Sequence, residues 1–162
     1  MANIEQKLLT FSLGKEGYGL SILKITEIIG MMDITPVPQT PDFIKGVINL
    51  RGKIIPVMDL RLKFGMEEKE YNEKTCIIVA DIFIEGIQKQ LGVVVDMVSE
   101  VVTILATQIE PPPEYGSSIE RNSILGIGKI KDRVIIILDV DQIFSCEELL
   151  KVVEKVKEGS YV

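Results

Sequence analysis

The 162-residue chain contains no histidine. That removes the commonest general base, the commonest zinc ligand and the one side chain that titrates unperturbed near neutral pH. Aromatic residues are scarce, at 6%, and the two cysteines, Cys76 and Cys146, stand far apart in no metal-ligand spacing. Two such thiols read as reduced, buried residues of an intracellular protein. Positive charge is also short: 18 Lys and Arg against 24 Asp and Glu, a net charge of −6. This argues against nucleic acid as the main partner and against a polybasic membrane anchor. No apolar run approaches the ~20 residues of a spanning helix, so no membrane insertion is expected. Met1 to Lys7 carries no apolar signal core. The expected location is the cytoplasm.

What is present is an apolar fraction of 46% and a mean hydropathy of +0.27, enough to bury a core as one domain or two small ones. The chain is organised around Gly46–Leu60. Val47, Ile48 and Leu50 form one apolar run, and Ile54, Ile55, Val57 and Met58 another, with Arg51-Gly52 between them. The pattern predicts a hairpin with Arg51 at its tip, where Gly52 takes the positive φ of a tight turn. Pro56 lacks an N–H and is expected at a sheet edge or facing away from the ladder. Asp59 stands where a helix N-cap would, before Leu60–Phe64 and a terminating Gly65.

The same pattern returns 80 positions later. Gly126 matches Gly46, Val134–Leu138 matches Ile54–Met58, Asp139 matches Asp59, and Phe144 matches Phe64. Only the tip changes, from Arg51-Gly52 to Lys131-Asp132. Further upstream the offset is 73: Gly19 with Gly92, Ile22 with Val95, Ile25 with Val98, and Glu27 with Glu100. The seven extra residues fall around Pro111–Ser118, a loop by composition. The chain is a two-copy repeat.

Around these landmarks, Leu8–Leu13 reads as a strand, followed by a turn at Gly14–Gly17. Tyr18–Ile29 reads as a longer strand with a bend or bulge near Lys24. A helix through Ile22–Ile29 is open too, because Ile22, Ile25, Ile28 and Ile29 share a helical face. Thr35–Pro41, with three prolines, reads as rigid loop. Thr40–Phe43 is expected to form one helical turn capped by Thr40. Met66–Lys74 is charged and aperiodic, a solvated linker between the copies. Thr75–Ile84 and Leu91–Val98 are strands about a turn at Glu85-Gly86. Ser145–Glu148 is a capping box opening a helix with the apolar stripe Leu149, Val152, Val153 and Val156.

Catalytic patterns fail on inspection. Ser21-Ile-Leu-Lys24 fits S-x-x-K, but the S-D-N and K-T-G partners are missing. Asp59 and Asp139 occupy equivalent positions, as an acid dyad would, but the following Leu60-Arg61 and Val140-Asp141 lack the Thr/Ser-Gly such a dyad needs. Gly126-Ile-Gly128 lacks a third glycine. Asp81, Asp96, Glu100, Asp139 and Asp141 form no cation loop. No nucleophile, base and oxyanion donor assemble, so no enzyme is visible.

The segments Phe43-Ile44-Lys45-Gly46-Val47-Ile48-Asn49-Leu50-Arg51-Gly52 and Ile55–Arg61, with Tyr18–Ile28 and Gly92–Val101, make the chain resemble the CheW family of bacterial chemotaxis coupling proteins. The resemblance implies an all-β fold of two five-stranded SH3-like barrels packed about a shared core, with short helical turns and a C-terminal helix. It decides for strand at Tyr18–Ile29. One domain over 1–162 is expected, with subdomains at about 10–70 and 75–145 and the helix at about 146–158. It also implies an adaptor without catalysis, cofactor or metal, which joins the cytoplasmic tips of chemoreceptors to the regulatory domain of the histidine kinase CheA in membrane-associated arrays. In the family the Arg of the Asn-Leu-Arg-Gly hairpin is tied to receptor binding, which maps to Arg51. Glu27 and Asn49 lie on matching segments. Ile25 and Val98 line an inter-barrel groove for a receptor helix or are ordinary core residues. Two other readings are a module of another two-component complex, such as a coupler fused to a receiver domain, and a small hydrolase. The end at Val162 disfavours the fusion.

Overall fold

Apolar runs too continuous for a half-exposed strand recur along the chain, as in Cys76-Ile77-Ile78-Val79-Ala80, and they require sheets covered on both faces. The computed structural model describes residues 5–84, 86–112 and 123–143. Its strands are β1 (Glu5–Leu13), β2 (Glu16–Ser21), β3 (Ile25–Gly30), β4 (Ile44–Leu50), β5 (Lys53–Asp59), β6 (Cys76–Ile84), β7 (Ile87–Val95), β8 (Met97–Leu105), β9 (Ile109–Glu110), β10 (Ile124–Ile130) and β11 (Arg133–Leu138). Two one-turn helices, α1 (Leu60–Lys63) and α2 (Val140–Ile143), follow β5 and β11. The all-β expectation holds. The helix expected over 146–158, with Cys146, lies outside the described residues.

One sheet runs β3-β6-β7-β5-β4 and the other β8-β1-β2-β11-β10-β9. Each curls towards closure through the segment between its outer strands. Thr35 exchanges backbone bonds of 2.8 and 2.9 Å with Val47 of β4, and β9 pairs with β10. The two glycines at offset 80 make that closure possible. A Cβ on Gly46 would sit 2.0 Å from the Thr35 carbonyl oxygen, and one on Gly126 would sit 2.8 Å from that of Glu110. Both stand at a register shift in their hairpins.

The sheets do not follow the order of the copies. The first copy's β1–β2 hairpin joins the second copy's β8–β11, and the second copy's β6–β7 hairpin joins the first copy's β3–β5. Thus a division near residue 70 does not separate the two barrels; each is completed by the other copy's hairpin. The second sheet also has six strands where five were expected, the sixth being the two-residue β9.

This exchange explains the continuous apolar runs. Along β6, Ile77 and Val79 point into their own barrel with Ile55 and Val57, while Ile78, Ala80 and Ile82 join a core shared with the other sheet. That shared core draws Leu9, Phe11, Leu13, Tyr18 and Leu20 from β1 and β2, and Leu91, Val93 and Val95 from β7. Leu8, Ile104 and Ile137 form the smaller interior of the second barrel. Each fully buried Leu or Ile contributes about 1.5–3 kcal/mol, so most of the stabilisation lies between the barrels.

Several local expectations change in this context. The segment Tyr18–Ile29 is not one strand: a 3-10 turn at Ile22–Lys24 carries the chain from one sheet to the other, capped by Ser21, whose Oγ accepts the Leu23 N–H at 3.3 Å. Thr40–Phe43 is no helical turn. Ile44 N–H bonds the Pro41 carbonyl at 3.1 Å as a single β-turn, and Thr40 donates its hydroxyl to Val37, because Val37 must reach the pocket made by Ile44 and Val47. β5 is internal rather than an edge. Pro56 opposes Val47, whose backbone groups are both committed to Thr35, so the missing N–H faces away from that ladder. The charged linker is partly tied down, through Tyr71 to Asp59 and Lys45 to Glu68.

Candidate protein-interaction site

At the β4–β5 tip both turn residues take positive φ, Arg51 at 52° and Gly52 at 87°, as a two-residue hairpin with right-handed strand twist requires. Asn49 accepts the Gly52 N–H through Oδ1 at 2.9 Å, so an exposed side chain holds the turn. The equivalent tip, Lys131 at 47° and Asp132 at 67°, has the same backbone without a glycine. The tips differ in sequence and repeat in conformation.

A bulge on β3, where the register with β6 shifts between Ile25 and Glu27, places Glu27 to meet that tip. Thr26 fills the bulge by donating its hydroxyl to the Val79 carbonyl at 3.1 Å. Arg51 then forms an ion pair with Glu27 through Nη2. The arginine side chain remains 69% exposed and that of Glu27 29%. One edge of the guanidinium is therefore oriented by the carboxylate, and its other donors face outward from a rigid turn, a geometry suited to carboxylate or carbonyl acceptors of a partner. In the second barrel Glu100, equivalent to Glu27, is paired with Arg133 at 3.9 Å rather than with the tip residue.

The structure thus brings Glu27, Asn49 and Arg51 to one place. Ile25 and Val98 occupy equivalent positions on β3 and β8, in different sheets, and both are half-buried against the shared core. Leu23 and Met97, just before them, are exposed. Both residues pack at the edge of the shared core.

The aspartates have structural partners. Asp59 is buried, caps α1 by accepting the Leu62 N–H at 3.3 Å, and takes the Tyr71 hydroxyl at 2.8 Å. Asp139 accepts the Asp141 N–H at 3.1 Å. Lys24 of the S-x-x-K segment turns to Asp141 rather than to Ser21. Among the described residues, no three Cys, Asp or Glu side chains gather as metal ligands. A cleft of about 340 Å³ on the second barrel, between Met97 of β8 and Arg133 and Val134 of β11, is floored by Phe11 and Gly17.

Sequence reasoning missed one strong group. Asp96, between β7 and β8, receives Arg61 Nε and Nη2 at 2.8–3.0 Å and the Gly14 N–H at 2.7 Å. Burial pushes its carboxyl up, but the Arg61 and Gly14 hydrogen bonds and the Arg61 and Lys69 charges hold it below the usual range. The signal was present in Arg61, which stands 80 positions before Asp141 with opposite charge.

Two exchanged barrels, one of them bearing an ion-paired arginine at its hairpin tip, place the fold in the double SH3-like class. The CheW-like domain profile matches residues 7–148, and the chain belongs to the CheW family of chemotaxis scaffold proteins. It is 42% identical over 146 residues to a chemotaxis protein CheW of Klebsiella aerogenes, covering 90% of this chain and 86% of that one. It is 38% identical over 133 residues to the Helicobacter pylori CheW, covering 82% and 78%. The crystal structure of the scaffolding protein TtCheW from Thermoanaerobacter tengcongensis superposes with a TM-score of 0.80 at 40% identity, covering 91% of this chain and 94% of that one. Among the described residues no helix is long and apolar enough to cross a membrane.

Proposed function

We propose that the chain is a non-catalytic adaptor that couples the cytoplasmic tips of chemoreceptors to the regulatory domain of the histidine kinase CheA. Arg51 stands at the centre of the receptor contact in this reading. Glu27 orients it, Asn49 holds its turn, and Ile25 and Val98 form the apolar rim beside it. The protein works in the cytoplasm and is recruited to receptor arrays at the membrane. Family membership supports the adaptor role. The observation that carries the site is the exposed, oriented guanidinium present in only one of two equivalent tips.

The test is a titration of a receptor-tip fragment and a kinase regulatory-domain fragment against wild type and Arg51→Glu, with a melting curve for each protein. Loss of a binding hot spot of about 2 kcal/mol lowers receptor affinity roughly 30-fold, while kinase binding and melting stay near wild type. Unchanged receptor affinity, or joint loss of both partners, removes Arg51 from the receptor contact.

A further inference from the structure

Two repeats with the same elements can complete their barrels in two ways. In the structure β5 pairs with β7 and β11 with β2, and the registers are equivalent: Val57 opposite Gly92, Ile137 opposite Gly19. If each copy kept its own hairpin, Val57 would meet Gly19 and Ile137 would meet Gly92. The apolar pattern is the same in both arrangements and does not choose between them.

Two ion-pair latches differ. In the first, Arg61 on α1 of copy one grips Asp96 in the β7–β8 crossover of copy two, and the Gly14 N–H donates to the same carboxylate. Lys69 lies 3.8 Å from it. In the second, Asp141 on α2 of copy two receives Lys24, from the β2–β3 crossover of copy one, at 2.8 Å. Asp141 also accepts the Phe83 N–H at 3.1 Å. Arg61 and Asp141 are equivalent at offset 80. Gly14 and Phe83 are equivalent too, since Leu13 opposes Glu16 and Ile82 opposes Lys89 in the two hairpins. The crossover residues are one position out of register, since the offset of 73 pairs Lys24 with Met97. Each crossover nevertheless reaches the same helix position, 61 or 141, and the sign of the charge on helix and crossover is reversed between the copies.

We propose that this reversal of polarity selects the exchanged fold. With hairpins retained, Arg61 would face Lys24 and Asp141 would face Asp96, like charges in partly desolvated sites where repulsion is strong. Both helices and both crossovers carry opposite signs in the two copies, so only pairing between copies is complementary.

The variant Lys24→Asp/Asp141→Arg keeps both observed latches complementary and makes the retained-hairpin latches complementary as well. A second variant adds Arg61→Asp and Asp96→Arg, restoring alternation with every sign inverted. Each protein is refolded from denaturant and its cross-strand contacts are read by NMR. Wild type and the fourfold variant are expected to show only Gly19–Ile137 and Gly92–Val57 contacts. The twofold variant is expected to add Gly19–Val57 and Gly92–Ile137 contacts at about one tenth of the first set or more, the upper end of a typical minor state. The proposal is overturned if the twofold variant shows the first set alone or fails to fold. It is equally overturned if the fourfold variant fails to refold or shows the second set.

Discussion

Tyr71, in the charged linker, donates its hydroxyl to Oδ2 of Asp59, the buried cap of α1, at 2.8 Å. One bond therefore ties the segment between the copies to the hairpin that organises the first. Removing the donor leaves a buried carboxylate oxygen without its partner, so Tyr71→Phe is expected to lower stability by about 1–3 kcal/mol in urea unfolding. Asp59→Ala loses the cap and strands the phenol as well, so it is expected to cost more than the ~1 kcal/mol of a cap alone. The same pair sets an alkaline limit. Burial first, then the hydrogen bond and charge of Asp59, raise the Tyr71 pKa. Stability from this group is complete below about pH 10, where the unfolded phenol begins to ionise, and is lost as pH rises above it. Burial also raises Tyr18, so the informative quantity is the wild-type alkaline loss minus that of Tyr71→Phe.

Asp96 sets an acid limit of the opposite sign. Its folded pKa is lowered by Arg61, the Gly14 N–H and Lys69 against the upward push of burial. Its contribution is full above the unfolded value of about 3.9 and falls as pH drops through the lower folded value. Urea midpoints taken between about pH 6 and pH 2.5 should converge for wild type and Asp96→Asn at the acid end. Parallel curves would remove Asp96 from the acid response.

Gly46 and Gly52 both have positive φ but differ in surroundings. A Cβ at Gly46 meets the Thr35 backbone at 2.0 Å, whereas at Gly52 nothing lies within 4 Å. Gly52→Ala should cost only the backbone strain of about 1–2 kcal/mol. Gly46→Ala should open the barrel at Thr35 and cost more than about 4 kcal/mol, the range kept for such clashes. Equal melting temperatures for the two variants would contradict the closure through Thr35.

The Arg51–Glu27 pair is expected to matter little for folding. Exposed ion pairs contribute about 0–1 kcal/mol, so Arg51→Ala and Glu27→Ala should each melt close to wild type. Asn49→Ala removes the bond that holds the turn and should lose roughly 1 kcal/mol, the typical worth of one hydrogen bond. A larger loss for Arg51→Ala than for Asn49→Ala would make the pair a structural element rather than a presented one.

The hairpin at Gly46–Leu60 and the Asp59 cap were legible in the chain because each depends on neighbours a few residues apart, and the 80-residue offset because it needs only the chain compared with itself. Turn conformation, capping and apolar alternation are set locally, and the structure carries all three. Strand β6 was equally plain from its apolar run, but the expected strand Leu91–Val98 is the end of β7 and the start of β8, which lie in different sheets on either side of Asp96. Which hairpin completes which barrel was not legible, since Gly19 and Gly92, or Val57 and Ile137, offer the same surface to either partner. Nor was the 3-10 turn at Ile22–Lys24, whose apolar spacing fits strand and helix alike until the next strand is known to lie in the other sheet. Glu27 meets Arg51, and Asp96 meets Arg61, only once a sheet has curled and two copies have exchanged hairpins. Those contacts join residues 24 and 35 positions apart, and only long-range packing brings them together.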